Sequence, residues 1–96
     1  MILEIAELTV LTGQADAFEA AYAAAQRHLA AADGYRGHEL LRGVERPDRY
    51  TLLVRWDSVE AHTTGFRQSA HYQAWRALVH PFLAGPAAVF HYRPVA

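Results

Sequence analysis

The sequence predicts an α+β fold, in which a four-stranded antiparallel sheet carries helices on one of its two faces. Four segments alternate side chains with the period of two that strands require, and two longer regions space apolar side chains with the helical period. Their order is βαββαβ, which is the split-βαβ, ferredoxin-like arrangement. With 96 residues and 52% hydrophobic composition, the chain suffices for a single domain, residues 1–96, with one core.

The first strand and the first helix occupy residues 2–32. Residues 2–11 alternate, and both faces carry apolar groups, so this strand is predicted to be central and covered on both sides. Thr12 and Gly13 break the pattern before an alanine-rich helix over residues 14–32. The apolar stripe of that helix consists of Phe18, Tyr22, Ala25 and Leu29.

A hairpin follows the first helix. Residues 35–45 are predicted to form the second strand, and residues 45–49, which contain Pro47, its connection to a third strand that ends near Trp56. Asp57 and Glu60 are spaced as a capping-box pair that would begin the second helical region.

The second helical region is predicted to consist of two pieces. Ser69 is placed to cap the second piece, and Pro81 to end or kink it. Residues 87–93 then form the fourth strand, with Val89 and His91 on one face. The apolar stripe of the second piece consists of Tyr72, Trp75, Val79 and Phe82.

The face of the sheet that carries no helices needs cover, because the first and third strands are apolar on both sides. A second copy of the chain provides it economically, since a two-fold dimer uses one surface twice. Small domains also commonly gain stability by oligomerisation. The sequence therefore predicts a homodimer.

Composition excludes several classes of chemistry. The formal charge of −1 gives no field for nucleic acid or anionic membranes, and no apolar run approaches the length of a membrane span. Because the chain contains neither Lys nor Cys, it has no Schiff-base lysine, thiolate nucleophile or zinc-finger ligand set. The six His residues lack metal-ligand spacing, so no metal or other cofactor is predicted. The N-terminus lacks the features of a signal peptide, which predicts a cytoplasmic protein.

The candidate site lies in the second helical region, which holds three of the six His residues. His62 is the candidate catalytic base, since a neutral imidazole accepts protons near physiological pH, and Phe66 shares its helix face. The alternative for His62 is a partly exposed side chain bonded to the backbone. Arg76 and His80, four residues apart, are candidates to bind a carboxylate or hydroxyl of a ligand. Their alternative is an ion pair with a carboxylate such as Glu39 or Asp57.

Aromatic side chains are the remaining candidates for substrate binding. Trp75, Phe82 and Phe66 would wall a flat aromatic ligand, although the same spacing suits an ordinary core. Tyr50 and Tyr92 would supply hydroxyl groups to a phenolate, or else only satisfy backbone groups.

Several motifs resemble one known family. They are the Gly34 and Gly37 strand entry, the Pro47-Asp48-x-Tyr50 turn, the strand that ends at Trp56 and the Ser69-x-His71 helix start. The chain resembles the antibiotic biosynthesis monooxygenase (ABM) superfamily of dimeric α+β barrels. Its subgroup pattern comprises Trp56, His62, Phe66, Arg67, Ser69, Trp75, Arg76, Leu78, His80, Phe82, His91 and Tyr92.

This resemblance implies a homodimer, and a cofactor-independent monooxygenase that acts on a small aromatic or quinol-type substrate. Two alternatives stay open: a non-catalytic small-ligand-binding or stress-related homodimer, and a haem-binding or haem-degrading protein. In the haem degraders the iron-ligand His falls near Trp75 or Arg76 of this chain, which leaves His71 or His80 as a ligand from a shifted position.

Overall fold

The computed structural model describes all residues from Met1 to Ala96 and confirms the predicted element order. Neither of its two α-helices is long and apolar enough to cross a lipid bilayer. In chain order the elements are β1 (Ile2–Thr9), α1 (Ala15–Ala30), β2 (Tyr35–Arg42), β3 (Arg49–Trp56), a π-helical turn (Ala61–Phe66), α2 (Ala70–Val79), a 3-10 turn (His80–Phe82) and β4 (Ala88–Tyr92).

The four strands form one sheet in the order β2-β3-β1-β4, and every neighbouring pair is antiparallel. β1 lies inside the sheet, where Ala6 is opposite Leu52 of β3 on one side and opposite Val89 of β4 on the other. Because side chains alternate along a strand, this register assigns each strand residue to one face. The predicted antiparallel sheet with helices on one face is confirmed.

The core lies between the inner face of the sheet and the two helices. All four residues of the predicted α1 stripe are buried, so that prediction is confirmed. Trp56 and Phe18 are the largest fully buried side chains. Full burial of such a side chain contributes about 1.5–3 kcal/mol to the free energy of folding. The buried inner-face residues of β1 and β3 are Glu4, Ala6, Leu8, Tyr50, Leu52, Val54 and Trp56.

The outer face of the sheet carries no helix and presents many apolar side chains, together with the ion pair of Glu39 and Arg55. Leu3, Ile5 and Leu53 are half-buried on it. Leu41, Phe90 and Tyr92 are about half exposed, at 47%, 59% and 53%. Exposed large apolar side chains grouped on one face typically mark an interaction site. The dimer that would cover it stays a prediction.

Local boundaries differ from the prediction at two places. The predicted capping box of Asp57 and Glu60 is wrong. Ser58 Oγ instead accepts the Ala61 N–H at 3.1 Å. Asp57 forms a two-bond ion pair with Arg36, at 2.6 and 3.1 Å. β2 ends at Arg42, before the predicted residue 45, because the chain turns over residues 46–49, where the Arg49 N–H donates to the Arg46 carbonyl at 2.9 Å.

The second α-helix begins and ends as its capping residue and proline predict. Ser69 Oγ accepts the Tyr72 N–H at 3.2 Å, which confirms Ser69 as the cap. α2 ends at Val79, and the chain continues as a 3-10 turn with Pro81 at its second position. A proline at position 81 cannot donate the N–H that an α-helical bond to residue 77 requires.

Gly34 is expected to be essential to the packing of the π-helical turn. Its φ of +82° favours glycine, and a Cβ there would lie 2.7 Å from the Ala61 Cβ. We expect Gly34→Ala to lower the free energy of unfolding by about 1–3 kcal/mol in urea denaturation. Gly85→Ala is the matched control, because no atom lies within 4 Å of its new Cβ. Equal stability of the two variants would contradict this explanation.

Candidate functional site

A cavity of about 470 Å³ lies between the inner face of the sheet and the second helical region. Its volume falls in the range of small-molecule binding sites, and 11 of its 18 lining residues are hydrophobic, as is typical of such sites. The exposed lining residues, which form its rim, are Arg67, Arg76, His80, Gly85 and Pro86. The buried lining residues are Glu4, Ala6, Leu8, Leu29, Leu52, His62, Phe66 and Val79.

The π-helical turn positions one wall of this cavity. The Arg67 N–H donates to the His62 carbonyl at 2.9 Å, which is an i→i+5 hydrogen bond. In an α-helix, side chains five residues apart point in directions that differ by about 140°. The wider π-helical turn places them roughly one full turn apart, so that they point to the same side. His62, Phe66 and Arg67 therefore all line the cavity. Turns of this kind are frequent at functional sites.

Two titratable side chains are buried against each other in the cavity wall. Glu4 is 6% exposed and His62 is 3% exposed. His62 Nε2 lies 3.3 Å from Glu4 Oε1, and Trp56 Nε1 donates to the same oxygen at 2.9 Å. The indole of Trp56 also stacks on the imidazole, with ring centroids 5.4 Å apart. The carboxyl and the imidazole are thus fixed from two sides.

His91 extends this polar cluster towards the surface. Its position in β4 is opposite Glu4 of β1, so both side chains lie on the inner face. Its Nε2 atom is 2.8 Å from His62 Nδ1, and the tautomers of the two rings decide which nitrogen donates. His91 is half-buried. The three side chains form a continuous series of contacts from the cavity wall to a partly exposed imidazole.

Burial disfavours the charged form of both cavity groups. It lowers the pKa of His62 to about 4, and the nearby charges of Arg67 and His91 act in the same direction. Burial raises the pKa of Glu4, while the Trp56 hydrogen bond and the Arg67 charge partly oppose that rise. The pKa of His91 is also lowered, again chiefly by burial. At neutral pH His62 is therefore an uncharged imidazole that is able to accept a proton.

Five of the eight predicted site residues line the cavity together, namely His62, Phe66, Trp75, Arg76 and His80. Arg76 and His80 do not form the ion pairs that the alternative interpretation allowed: Glu39 pairs with Arg55 at 3.1 Å, and Asp57 with Arg36.

Three predicted residues lie outside the cavity lining. Phe82 follows the end of α2, and its ring packs against Phe18, with centroids 6.5 Å apart. The hydroxyl of Tyr50 donates to Glu19 of α1. Tyr92 is on the outer face of the sheet, as its register opposite Leu3 requires.

The two His residues considered for haem lie in different surroundings. His80 lies at the rim of the cavity, whereas His71 contacts His28 of α1, with 3.1 Å between the Nδ1 atoms. Of these two His residues, His80 alone lines the cavity. No group of three or more His, Asp or Glu side chains is arranged to hold a metal ion.

Glu4 and His91 were missing from the predicted site, although the sequence contained a signal for Glu4. It shares the inner face of β1 with Ala6 and Leu8, and a carboxyl group on the buried face of a central strand calls for a specific reason. The signal for His91 is weaker, because its contact with His62 depends on the pairing of the first and last strands.

Comparison with known proteins places the chain in one family. Residues 1–78 match the family model described as antibiotic biosynthesis monooxygenase. The uncharacterized protein YczJ of Bacillus subtilis (strain 168) is 38% identical over 95 residues, which covers 99% of this chain and 100% of that protein.

Solved structures agree with the sequence match. A Bordetella bronchiseptica protein, described as a candidate antibiotic biosynthesis monooxygenase, has 43% identity and a TM-score of 0.96, with 99% of this chain and 97% of that chain covered. SnoaB, described as a cofactor-independent oxygenase of Streptomyces nogalater, has a TM-score of 0.83 with 99% and 93% covered. Its identity of 16% shows a common fold alone.

Proposed function

We propose that this chain, which belongs to the antibiotic biosynthesis monooxygenase family, is a cofactor-independent monooxygenase that acts on a small aromatic or quinol-type substrate. The observation that carries the proposal is the contact between Glu4 and His62, 3.3 Å apart in the wall of a mostly apolar cavity. Burial of two titratable groups is costly to a fold, and such groups cluster where proton transfer takes place.

The aromatic walls of the cavity support a flat substrate. Tyr72 and Trp75 are stacked, with ring centroids 6.1 Å apart and 21° between their planes. Phe66 meets Trp75 edge to face at 6.2 Å, and all three residues line the cavity. Such walls favour a planar aromatic ligand over a flexible one. We therefore propose that Trp75 and Phe66 bind the ring of the substrate. Arg76 and His80, at the rim of the cavity, are the proposed binding residues for its polar groups.

His62 is the proposed catalytic base. It would remove a proton from a substrate carbon or hydroxyl, which leaves an electron-rich anion that reacts with O₂. For a substrate that contains an activated CH₂ group, the carbanion forms a C–O bond to give a peroxide. Protonation and loss of water then leave a carbonyl group. One oxygen atom enters the product and the other leaves as water, so the four electrons that O₂ takes up come from the substrate.

Glu4 compensates for the weak basicity of His62. A pKa of about 4 means that an isolated imidazolium is unfavourable at this site. The Glu4 carboxylate, 3.3 Å away, would stabilise the imidazolium as it forms, so that the two groups share the proton as one unit. We assign Glu4 as a positioning and charge-stabilising residue. His91 would hold the other side of the imidazole through its contact at 2.8 Å.

The proposed enzyme is a homodimer through the outer face of the sheet. The half-exposed side chains Leu41, Phe90 and Tyr92 lie on that face together with Leu53. A two-fold arrangement would bury the same surface of both copies at once. The cavity lies on the opposite side of the sheet, so the cover that the dimer provides leaves the substrate site accessible.

Oxygen consumption under ¹⁸O₂ tests the proposed function. The purified protein is mixed with anthrone or a dihydronaphthoquinone, and the product is analysed by mass spectrometry. We expect substrate-dependent oxygen uptake with one ¹⁸O atom per product molecule. Binding of these compounds without turnover would contradict the proposal and favour a ligand-binding homodimer.

A further inference from the structure

Arg67 is a cation without a carboxylate partner at the end of the cavity where Glu4 and His62 lie. Arg36, Arg42 and Arg55 each form an ion pair, with Asp57, Glu19 and Glu39 respectively. Arg67 lines the cavity and has no carboxylate oxygen within 4 Å of its guanidinium.

The backbone ties Arg67 to the proposed base. Its N–H is bonded to the carbonyl of His62 at 2.9 Å, so the two residues are fixed one wide turn apart. The Arg67 charge also acts on three groups of the polar cluster, namely Glu4, His62 and His91. No other Arg acts on all three. The guanidinium is therefore the cation whose field reaches the atoms where a proton would be lost.

An uncompensated cation beside a proton acceptor stabilises negative charge that develops on a ligand. In the resting protein His62 is neutral, and the guanidinium opposes a proton on it. When a phenol or enol loses its proton in the cavity, the new oxyanion is a hydrogen-bond partner for the guanidinium, which is always charged. A hydrogen-bond donor that meets developing negative charge contributes substantially to catalysis.

We propose that Arg67 binds the oxyanion of an ionised phenol or enol, so that the cavity stabilises planar aromatic acids of this class in their anionic form once the proton is lost. The inference rests on the proposed function and deepens it, because it specifies the charge of the bound substrate. It assigns Arg67 a role in substrate binding that is distinct from proton transfer by His62. Arg76 lies on the same rim, but it is not among the charges that shift the pKa of Glu4 or His62, so this oxyanion contact is assigned to Arg67.

Equilibrium binding of two unreactive probes tests the proposal without any turnover. 2-Hydroxy-1,4-naphthoquinone is a planar acid that is ionised at neutral pH, and 2-methoxy-1,4-naphthoquinone is its uncharged counterpart. Both are titrated into wild-type protein and into Arg67→Gln, with quenching of tryptophan fluorescence as the readout. Arg46→Gln is the charge-matched control, because Arg46 lies exposed in the hairpin loop outside the cavity. Arg76→Gln serves as the comparison on the rim.

We expect Arg67→Gln to weaken binding of the anion about tenfold or more and binding of the ether less than twofold. Arg46→Gln should change the affinity for neither probe, and Arg76→Gln should weaken binding of the anion less than threefold. Equal affinity of wild type and Arg67→Gln for the anion would overturn the proposal. So would an equal loss for both probes, a larger effect of Arg76→Gln, or no binding of either probe to wild type. If Arg67→Gln selectively loses binding of the anion but the wild-type protein consumes no oxygen, the result would support this inference and reject the monooxygenase activity.

Discussion

Replacement of His62 by alanine is expected to lower the rate of substrate-dependent oxygen consumption by about 100-fold or more. General base catalysis typically contributes 10²–10⁴ to a rate, and His62 is the one imidazole buried in the cavity wall. Oxygen electrode traces with anthrone, corrected for the uncatalysed autoxidation, provide the measurement. Because alanine leaves a space beneath Trp56, we also expect some loss of thermal stability.

Two further variants separate catalysis from stability. His71→Ala removes an exposed imidazole that contacts His28 outside the cavity, and it should leave the rate unchanged. His62→Gln keeps a polar side chain near Glu4 but removes the base, so it should retain ligand binding while losing activity. Full activity of a folded His62→Gln protein would remove His62 from the mechanism.

A charge at the centre of the outer face is expected to dissociate the dimer. Leu53 lies on β3 between Ile5 of β1 and Glu39 of β2, so it occupies the middle of that face. Leu53→Asp would introduce two carboxylates into one two-fold interface, where removing both from water is costly. We expect the dissociation constant of the dimer to rise about 100-fold or more, as measured by sedimentation.

The matched control uses an exposed valine away from the sheet. Val44 is 88% exposed in the hairpin loop, so Val44→Asp changes the charge equally without reaching the outer face. This variant should sediment as wild type does. If wild-type protein is a monomer at micromolar concentration, or if Leu53→Asp stays as dimeric as Val44→Asp, the proposed interface is wrong.

Periodicity sufficed to predict the fold because each signal was local. The stripe from Phe18 to Leu29 specified which face of α1 is buried, and the hydroxyl of Ser69 specified where α2 begins. The π-helical turn was not predicted, since no local pattern in residues 61–66 specifies a hydrogen bond between residues five apart. Asp57 was misjudged for a similar reason: its partner Arg36 is adjacent only after β2 and β3 have paired.

The candidate site was only partly predictable because it depends on strand pairing. His62 and Phe66 were found from their helical spacing, and they do line the same cavity. Glu4 and His91 come from the two strands that pair at one edge of the sheet, which no local pattern specifies. Phe82 was assigned to the α2 stripe, but the helix ends three residues earlier and its ring turns towards Phe18.

Nuclear magnetic resonance of the histidine rings tests most directly whether His62 is a buried, neutral base. Its ¹⁵N signals, assigned by their absence from His62→Gln, are followed from pH 8 to pH 3.5. We predict that His62 stays uncharged through neutral and weakly acidic pH and titrates near 4, because burial disfavours the imidazolium. A His62 ring that gains its proton at pH 6.5 or above would contradict the account.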